Sequence, residues 1–177
     1  MKKRTIMATM FLVTALIIGF AYPANAAEKS APATTQKTIC ILFEDGVNST
    51  LTDRQAVSQA RLADWMDSDL VRVFARYEKA GFQAKLIEKR QEYTPEPNNY
   101  LLNVKITEYR PGSKAARIIV GYGAGGVSLK IHYELFDGAK SILAKDDSTF
   151  SGREWINAAR KLNQNTAKAV TEKLGSK

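Results

Sequence analysis

The chain has 177 residues, a formal net charge of +8, one cysteine and one histidine. A single cysteine excludes an intramolecular disulfide. One cysteine and one histidine also leave too few ligands for a zinc site of the usual kind. The function therefore has to be inferred from the charge and from the order of the predicted elements.

The first 26 residues have the three-part layout of a secretory signal peptide. Three cations follow Met1, an uncharged and largely apolar stretch runs from Thr5 to Tyr22, and Ala24-Asn25-Ala26 has the small residues of a cleavage site. We therefore predict a periplasmic or secreted protein that is cleaved near Ala26. The alternative is a retained membrane anchor, because the apolar stretch approaches the length that spans a bilayer.

Cleavage would leave 151 of the 177 residues and remove three cations but no acids, so that the net charge falls from +8 to +5. That length suits one domain with its own core, but not two. Residues 27–37 lack large apolar side chains and are expected to be a disordered lead-in to a single domain over 38–177. A modest basic charge on an exported protein favours an anionic envelope component as partner and makes nucleic acid a poor candidate.

The first predicted element is an apolar strand over 38–43, in which Cys40 is expected to be a small buried hydrophobe. Thr52 and Gln55 form a capping-box signature, and a long helix is expected to follow. Gly81 provides its stop, although three acids near its middle leave open a division into two shorter helices. Its apolar stripe consists of Ala56, Ala60, Ala63, Met66, Leu70, Phe74 and Tyr77.

Four further strands are predicted from alternation of apolar and polar residues. They cover 82–90, 100–109, 127–136 and 141–150. The last two are joined by a hairpin turn at 137–140, and a terminal helix follows the capping box of Ser151 and Glu154. The sequence therefore predicts an α+β domain with a mostly antiparallel sheet of about five strands, a long helix after strand 1, and a C-terminal helix packed on one face.

A glycine-rich segment precedes the fourth strand and matches the Gly-x-Gly-x-x-Gly pattern of dinucleotide-binding loops at Gly121, Gly123 and Gly126. That chemistry needs a helix directly after the last glycine, whereas residues 127–135 alternate as a strand does. We therefore interpret these glycines, together with Gly125, as structural positions and predict no cofactor. A Gly121–Gly126 loop that binds a small ligand or serves an enzyme is the alternative.

Catalytic residues are scarce in this sequence. It contains no nucleophile elbow, and His132 would have to act as the base for a serine or for Cys40, although His132 and Cys40 both fall inside predicted strands. His132 lies on the polar side of its strand, where a solvated side chain is expected. Asp146 and Asp147 are adjacent in a strand and would point to opposite faces. The sequence predicts a protein that is not an enzyme and has no metal site.

The outward face of the terminal helix is basic and is a candidate binding surface. Its candidate residues are Arg153, Arg160, Lys161 and Lys168. A solvated face is the simpler interpretation, and an electrostatic contact with an anionic partner is the functional one. Tyr122 is a further candidate, because the tyrosines at 93, 100, 109 and 122 either line a protein contact or fill a face of the sheet.

The strand over 100–109, the segment from Arg117 to Gly126 and the strand that ends at Phe136-Asp137-Gly138 resemble the bacterial family called domain of unknown function 4410. Its members are exported envelope proteins, often lipoproteins, with a Gly-aromatic-Gly-Ala-Gly stretch between strands and a helix at the end. The resemblance spans most of residues 38–174 and implies no catalytic residues. This chain differs from the lipoprotein members, since no lipidation cysteine directly follows its apolar stretch.

The opening strand, helix and strand are also similar, at the level of fold alone, to penicillin-binding-protein activator lipoproteins and to the N-terminal domain of TolB. The function expected from these observations is that of an exported, non-enzymatic envelope protein that binds another envelope component. The basic helix and the glycine segment are the candidate contact surfaces.

Overall fold

The computed structural model describes residues 36–44, 46, 53–110, 112, 126–152 and 154–175. Within these ranges, five strands and two helices form the predicted α+β architecture. The strands are β1 (Lys37–Glu44), β2 (Phe82–Ile87), β3 (Asn99–Arg110), β4 (Val127–Asp137) and β5 (Lys140–Ser151), and the helices are α1 (Asp53–Ala75) and α2 (Trp155–Gly175). Short 3-10 turns lie at Glu78–Ala80 and Arg90–Glu92, on either side of β2.

The sheet is mixed, so the prediction of a mostly antiparallel sheet was wrong. Its strand order is β2-β1-β3-β4-β5, and β1 is parallel to both of its neighbours. The pairs β3–β4 and β4–β5 are antiparallel. The physical reason is that α1 carries the chain back along the sheet, so that β2 enters in the same direction as β1. Alternation of apolar and polar residues has the same period in parallel and antiparallel strands and therefore does not predict strand direction.

The long helix follows β1 as predicted and is continuous, so the acids in its middle do not divide it. Its buried side consists of Gln59, Leu62, Ala63, Met66, Leu70, Val73 and Phe74. The predicted stripe was wrong at Ala56 and Ala60, which are exposed, because alanine is small enough to occupy either side of a helix. Gly81 has φ +83° and ends the 3-10 turn that follows α1, whereas α1 itself ends at Ala75.

The main core lies between one face of the sheet and the two helices. The side chain of Asn163 on α2 joins the helices across this core: its Nδ2 donates to the carbonyl of Met66 at 2.8 Å and to Asp69 Oδ2 at 3.1 Å. At the start of α2, the backbone amide of Glu154 donates to Ser151 Oγ at 3.3 Å, which is one half of the predicted capping box. Neither α1 nor α2 has the length and hydropathy of a membrane-spanning helix.

A smaller apolar cluster lies on the opposite face of the sheet and consists of Cys40, Leu42, Ile87 and Leu101. Residues 88–98 connect β2 to β3 and cover this cluster, with Tyr93 packed on it. The Tyr93 hydroxyl donates to the carbonyl of Asn99 and accepts from the amide of Gly138, each at 3.1 Å. The Arg90 guanidinium lies 4.8 Å from the centroid of the Phe136 ring. Because of this cover, β1 is buried on both faces.

Truncation of this second cluster is expected to be costly. Leu101→Ala removes a fully buried side chain and should lower the free energy of unfolding by about 2 to 5 kcal/mol. Leu86→Ala is the matched control, because Leu86 on the edge strand β2 is 41% exposed, and it should cost about 1 kcal/mol. Urea unfolding of the two variants measures both values. Equal costs would show that residues 88–98 do not seal this face.

Candidate functional site

The outward face of α2 carries three of the predicted binding residues. Arg160, Lys161 and Lys168 are exposed, and their spacing places them on one side of the helix. Lys168 Nζ lies 3.8 Å from Glu172 Oε1, an exposed pair that contributes little to stability. Among the described residues, neither Arg160 nor Lys161 forms an ion pair. Arg153 lies outside the described residues.

The two tryptophans of the chain meet where α1 and α2 pack together. Trp65 and Trp155 are both partly exposed, and their ring centroids are 5.7 Å apart with an interplanar angle of 86°, an edge-to-face contact. Arg160 Cζ lies 5.8 Å from the centroid of the Trp65 ring, within the range of a cation–π interaction. Arg160 therefore belongs both to the basic face and to the aromatic pair.

A second polar cluster lies on the sheet face opposite the helices and centres on His132 of β4. Its Nδ1 is 2.9 Å from Asp146 Oδ1 on β5, and its Nε2 is 3.1 Å from Glu134 Oε1. Both ring nitrogens thus face carboxylate oxygens, and only the protonated ring can donate to both. The hydrogen bond with Glu134 is the largest cause that raises the pKa of His132 above its usual 6.5, and the hydrogen bond with Asp146 is the second.

Glu108 of β3 forms the centre of a neighbouring ion-pair group on this face. Its Oε1 accepts from Arg110 Nε at 2.7 Å, and its Oε2 accepts from Lys130 Nζ at 2.5 Å. The hydrogen bond from Lys130 is the main cause that lowers the pKa of Glu108. Both cations of this group therefore have a carboxylate partner, as is common on a solvated sheet surface.

The contact between His132 and Asp146 was not predicted from the sequence, because a β-bulge sets it. Leu135 pairs with Leu143, but Phe136 pairs with Ser141, so that Ile142 is an extra residue in β5. Without this bulge, the hairpin turn would place His132 opposite Lys145. As predicted, Asp146 and Asp147 point to opposite faces: Asp147 Oδ2 accepts from Asn165 Nδ2 of α2 at 2.9 Å.

The described residues contain no group of three His, Cys, Asp or Glu side chains placed to hold a metal ion. The two carboxylates at His132 contact opposite nitrogens of the ring and so do not converge on one point. Cys40 is buried, and its Sγ donates to Asn99 Oδ1 at 3.3 Å. Burial raises the pKa of the Cys40 thiol, which disfavours the reactive thiolate.

The glycine segment is described only at its last residue. Gly121, Tyr122, Gly123 and Gly125 lie outside the described residues. A Cβ atom added to Gly126 would overlap the ring of Phe150 and lie 2.9 Å from the carbonyl oxygen of Ser151. Gly126 leads directly into β4, as predicted, and not into the helix that a dinucleotide loop needs.

The described tyrosines mostly fill the sheet. Tyr100 and Tyr109 are buried, and Tyr93 is half-buried over Cys40. Tyr109 reaches the helix side because β3 contains a bulge between Ile106 and Glu108. This bulge also places Glu108 on the opposite face, beside Lys130.

A family model described as Domain of unknown function (DUF4410) matches residues 23–173. The chain belongs to this family. The membership predicted from the strands and the glycine segment is therefore confirmed. Comparison of this DUF4410 member with curated protein sequences finds no match.

Several solved structures are similar in fold to this DUF4410 protein. A PelC dodecamer from Paraburkholderia phytofirmans has a TM-score of 0.51 and 14% identity, covering 76% of this chain and 87% of that one. The protein XCC0632 from Xanthomonas campestris has a TM-score of 0.49 and 9% identity, covering 82% and 91%. TolB from Acinetobacter baumannii has a TM-score of 0.44 and 11% identity, covering 79% and 28%.

The raised pKa of His132 predicts pH-dependent stability. A pKa that is higher in the folded state stabilises the fold below the unfolded pKa, and this stabilisation is lost as pH rises through the folded value. The difference in melting temperature between wild type and His132→Gln should therefore be larger at about pH 5.5 than at about pH 8.5.

Ser128→Ala is the control for this experiment, because Ser128 lies on the same strand and face but does not titrate. Its effect on melting temperature should be the same at both pH values. An equal difference for His132→Gln at both pH values would contradict the coupling to Glu134 and Asp146.

The packing at Gly126 predicts a non-additive pair of substitutions. Gly126→Ala should lower the free energy of unfolding by about 1 to 3 kcal/mol, because the methyl group meets the Phe150 ring. In a Phe150→Ala background the same change should cost less, although the contact with the Ser151 carbonyl persists. A double-mutant cycle measured by urea unfolding gives the coupling energy between the two positions. Additive costs would show that the Phe150 ring is not the reason for a glycine at position 126.

Proposed function

We propose that this DUF4410 protein is an exported envelope protein without catalytic activity that binds an anionic component of the envelope through the outward face of α2. The proposal depends on one observation: Arg160, Lys161 and Lys168 are exposed together on one side of a helix. The signal-peptide layout of residues 1–26 and the net charge of +5 that remains without them are consistent with it.

The contrast between α2 and the charged groups around Glu108 and His132 supports this choice of site. On the sheet face, Arg110 and Lys130 both pair with Glu108, and His132 lies between two carboxylates. On α2, Arg160 and Lys161 lack a described carboxylate partner, so their charge is available to an external anion. Cations at such a surface attract anionic head groups with about 1 kcal/mol each.

The absence of catalysis is proposed from the chemistry of the described titratable groups. Cys40 is buried, with its pKa raised. His132 is engaged at both ring nitrogens, so neither is available to take a proton from a substrate. Neither residue therefore provides an activated nucleophile or a free base.

Charge reversal on α2 tests the proposed site. Arg160→Glu plus Lys168→Glu should reduce recovery of the protein with envelope fractions at low salt by at least about tenfold. The wild-type protein should dissociate as salt increases to about 1 M, where screening shortens the range of the interaction to about 3 Å. Co-sedimentation at both salt concentrations measures these effects.

Lys85→Glu plus Lys105→Glu is the matched control. It changes the net charge by the same amount, but both lysines lie on the sheet face opposite the helices. This variant should co-sediment as the wild type does. Equal recovery of the wild type and the α2 variant, or binding that is insensitive to salt, would reject the proposed site.

A further inference from the structure

We infer that the tryptophan seam, defined as Trp65, Trp155 and Arg160, is an interfacial anchor that seats the protein on an anionic phospholipid surface. This inference rests on the proposed function and specifies its partner. A basic face could attract an anionic surface without the two tryptophans, and the inference gives these tryptophans a role.

The position of the two tryptophans supports this inference. The large side chains of the main core are aliphatic residues together with phenylalanine, tyrosine and methionine, whereas both tryptophans remain partly exposed at the junction of α1 and α2. Tryptophan has an amphipathic ring that favours the level of the lipid head groups. Two such rings in edge-to-face contact, 5.7 Å apart, form one compact aromatic feature that packs on the main core and is partly exposed.

The cations around the tryptophan seam also support it. Arg160 lies over Trp65, and Lys161 follows it on the same exposed side of α2. Arg61 is exposed one turn before Trp65 on α1. Exposed acids at Asp64 and Glu154, and the partly exposed Asp69 one turn after Trp65, offset most of this positive charge. Electrostatic attraction by itself is therefore moderate, and partition of the rings into the interface supplies the remaining affinity.

The small exposed apolar area favours a lipid surface over a folded protein. Among the described residues of α1 and α2, Val57 is the one large apolar side chain that is exposed, at 55%, and the two tryptophans are partly exposed. A stable protein–protein interface buries about 800 Å² on each partner. A bilayer interface needs less, because a few aromatic side chains and nearby cations suffice for reversible binding.

Intrinsic fluorescence provides a direct test, since both tryptophans of the chain lie in the seam. The protein, purified as it accumulates after export, is titrated with vesicles that contain phosphatidylglycerol and with vesicles of phosphatidylcholine alone. With phosphatidylglycerol, the emission maximum should shift to shorter wavelength and acrylamide quenching should fall roughly twofold as the rings enter the interface. Phosphatidylcholine should leave both quantities unchanged.

Trp65→Phe and Trp155→Phe separate the aromatic contribution from the electrostatic one. Each should weaken vesicle binding in flotation assays several-fold without changing its salt dependence, and the remaining tryptophan reports on the site. Phe150→Leu is the control, because Phe150 is 60% exposed on the other side of the sheet. It should bind as the wild type does.

The outcomes distinguish this inference from the proposed function. Flotation with phosphatidylglycerol but unchanged tryptophan emission would reject the anchor and retain the anionic contact. Binding to lipopolysaccharide without binding to phosphatidylglycerol would have the same meaning. Failure to bind any anionic surface would reject both. The emission measurement uses the wild-type protein, so the test does not depend on how the variants fold.

Discussion

Burial of β1 on both of its faces is the constraint that organises this fold. Ile39 and Ile41 pack toward the helices, whereas Cys40 and Leu42 pack on the opposite side. A central strand of this kind needs cover on both sides, as parallel strands do in general. The chain provides it with α1 and α2 on one face and residues 88–98 on the other. The position of β1 between two parallel neighbours and the long β2–β3 connection therefore both contribute to burying this strand.

Much of the fold could be predicted from periodicity, and the exceptions are features that leave the period unchanged or interrupt it. The alternation in β4 identified its buried face, and the spacing in α2 identified its outward face. Strand direction could not be predicted, because alternation has the same period in both directions. The two bulges could not be predicted either, because one extra residue has no characteristic composition. The bulge in β3 turns Tyr109 into the core, and the bulge in β5 brings Asp146 to His132.

In the candidate site, the arrangement of residues within one helix could be predicted from the sequence, whereas contacts between the two helices could not. The cations of α2 are neighbours along one helix, so their shared face follows from sequence spacing. Trp65 and Trp155 lie on different helices, and their contact depends on how α1 and α2 pack. Asn163 fixes that packing by its hydrogen bonds to Met66 and Asp69. A sequence shows that both tryptophans exist but not that they meet.

The contact between Lys37 and Leu174 has a consequence for the order of events in folding. The Lys37 ammonium, at the first residue of β1, donates to a carbonyl in the last turn of α2. This places a cation at the negative end of the helix dipole. This contact joins the first strand of the domain to its last helix, between residues that are 137 positions apart in the sequence. Contacts between such distant residues form late in folding. A chain that lacks the last turn of α2 cannot form this contact.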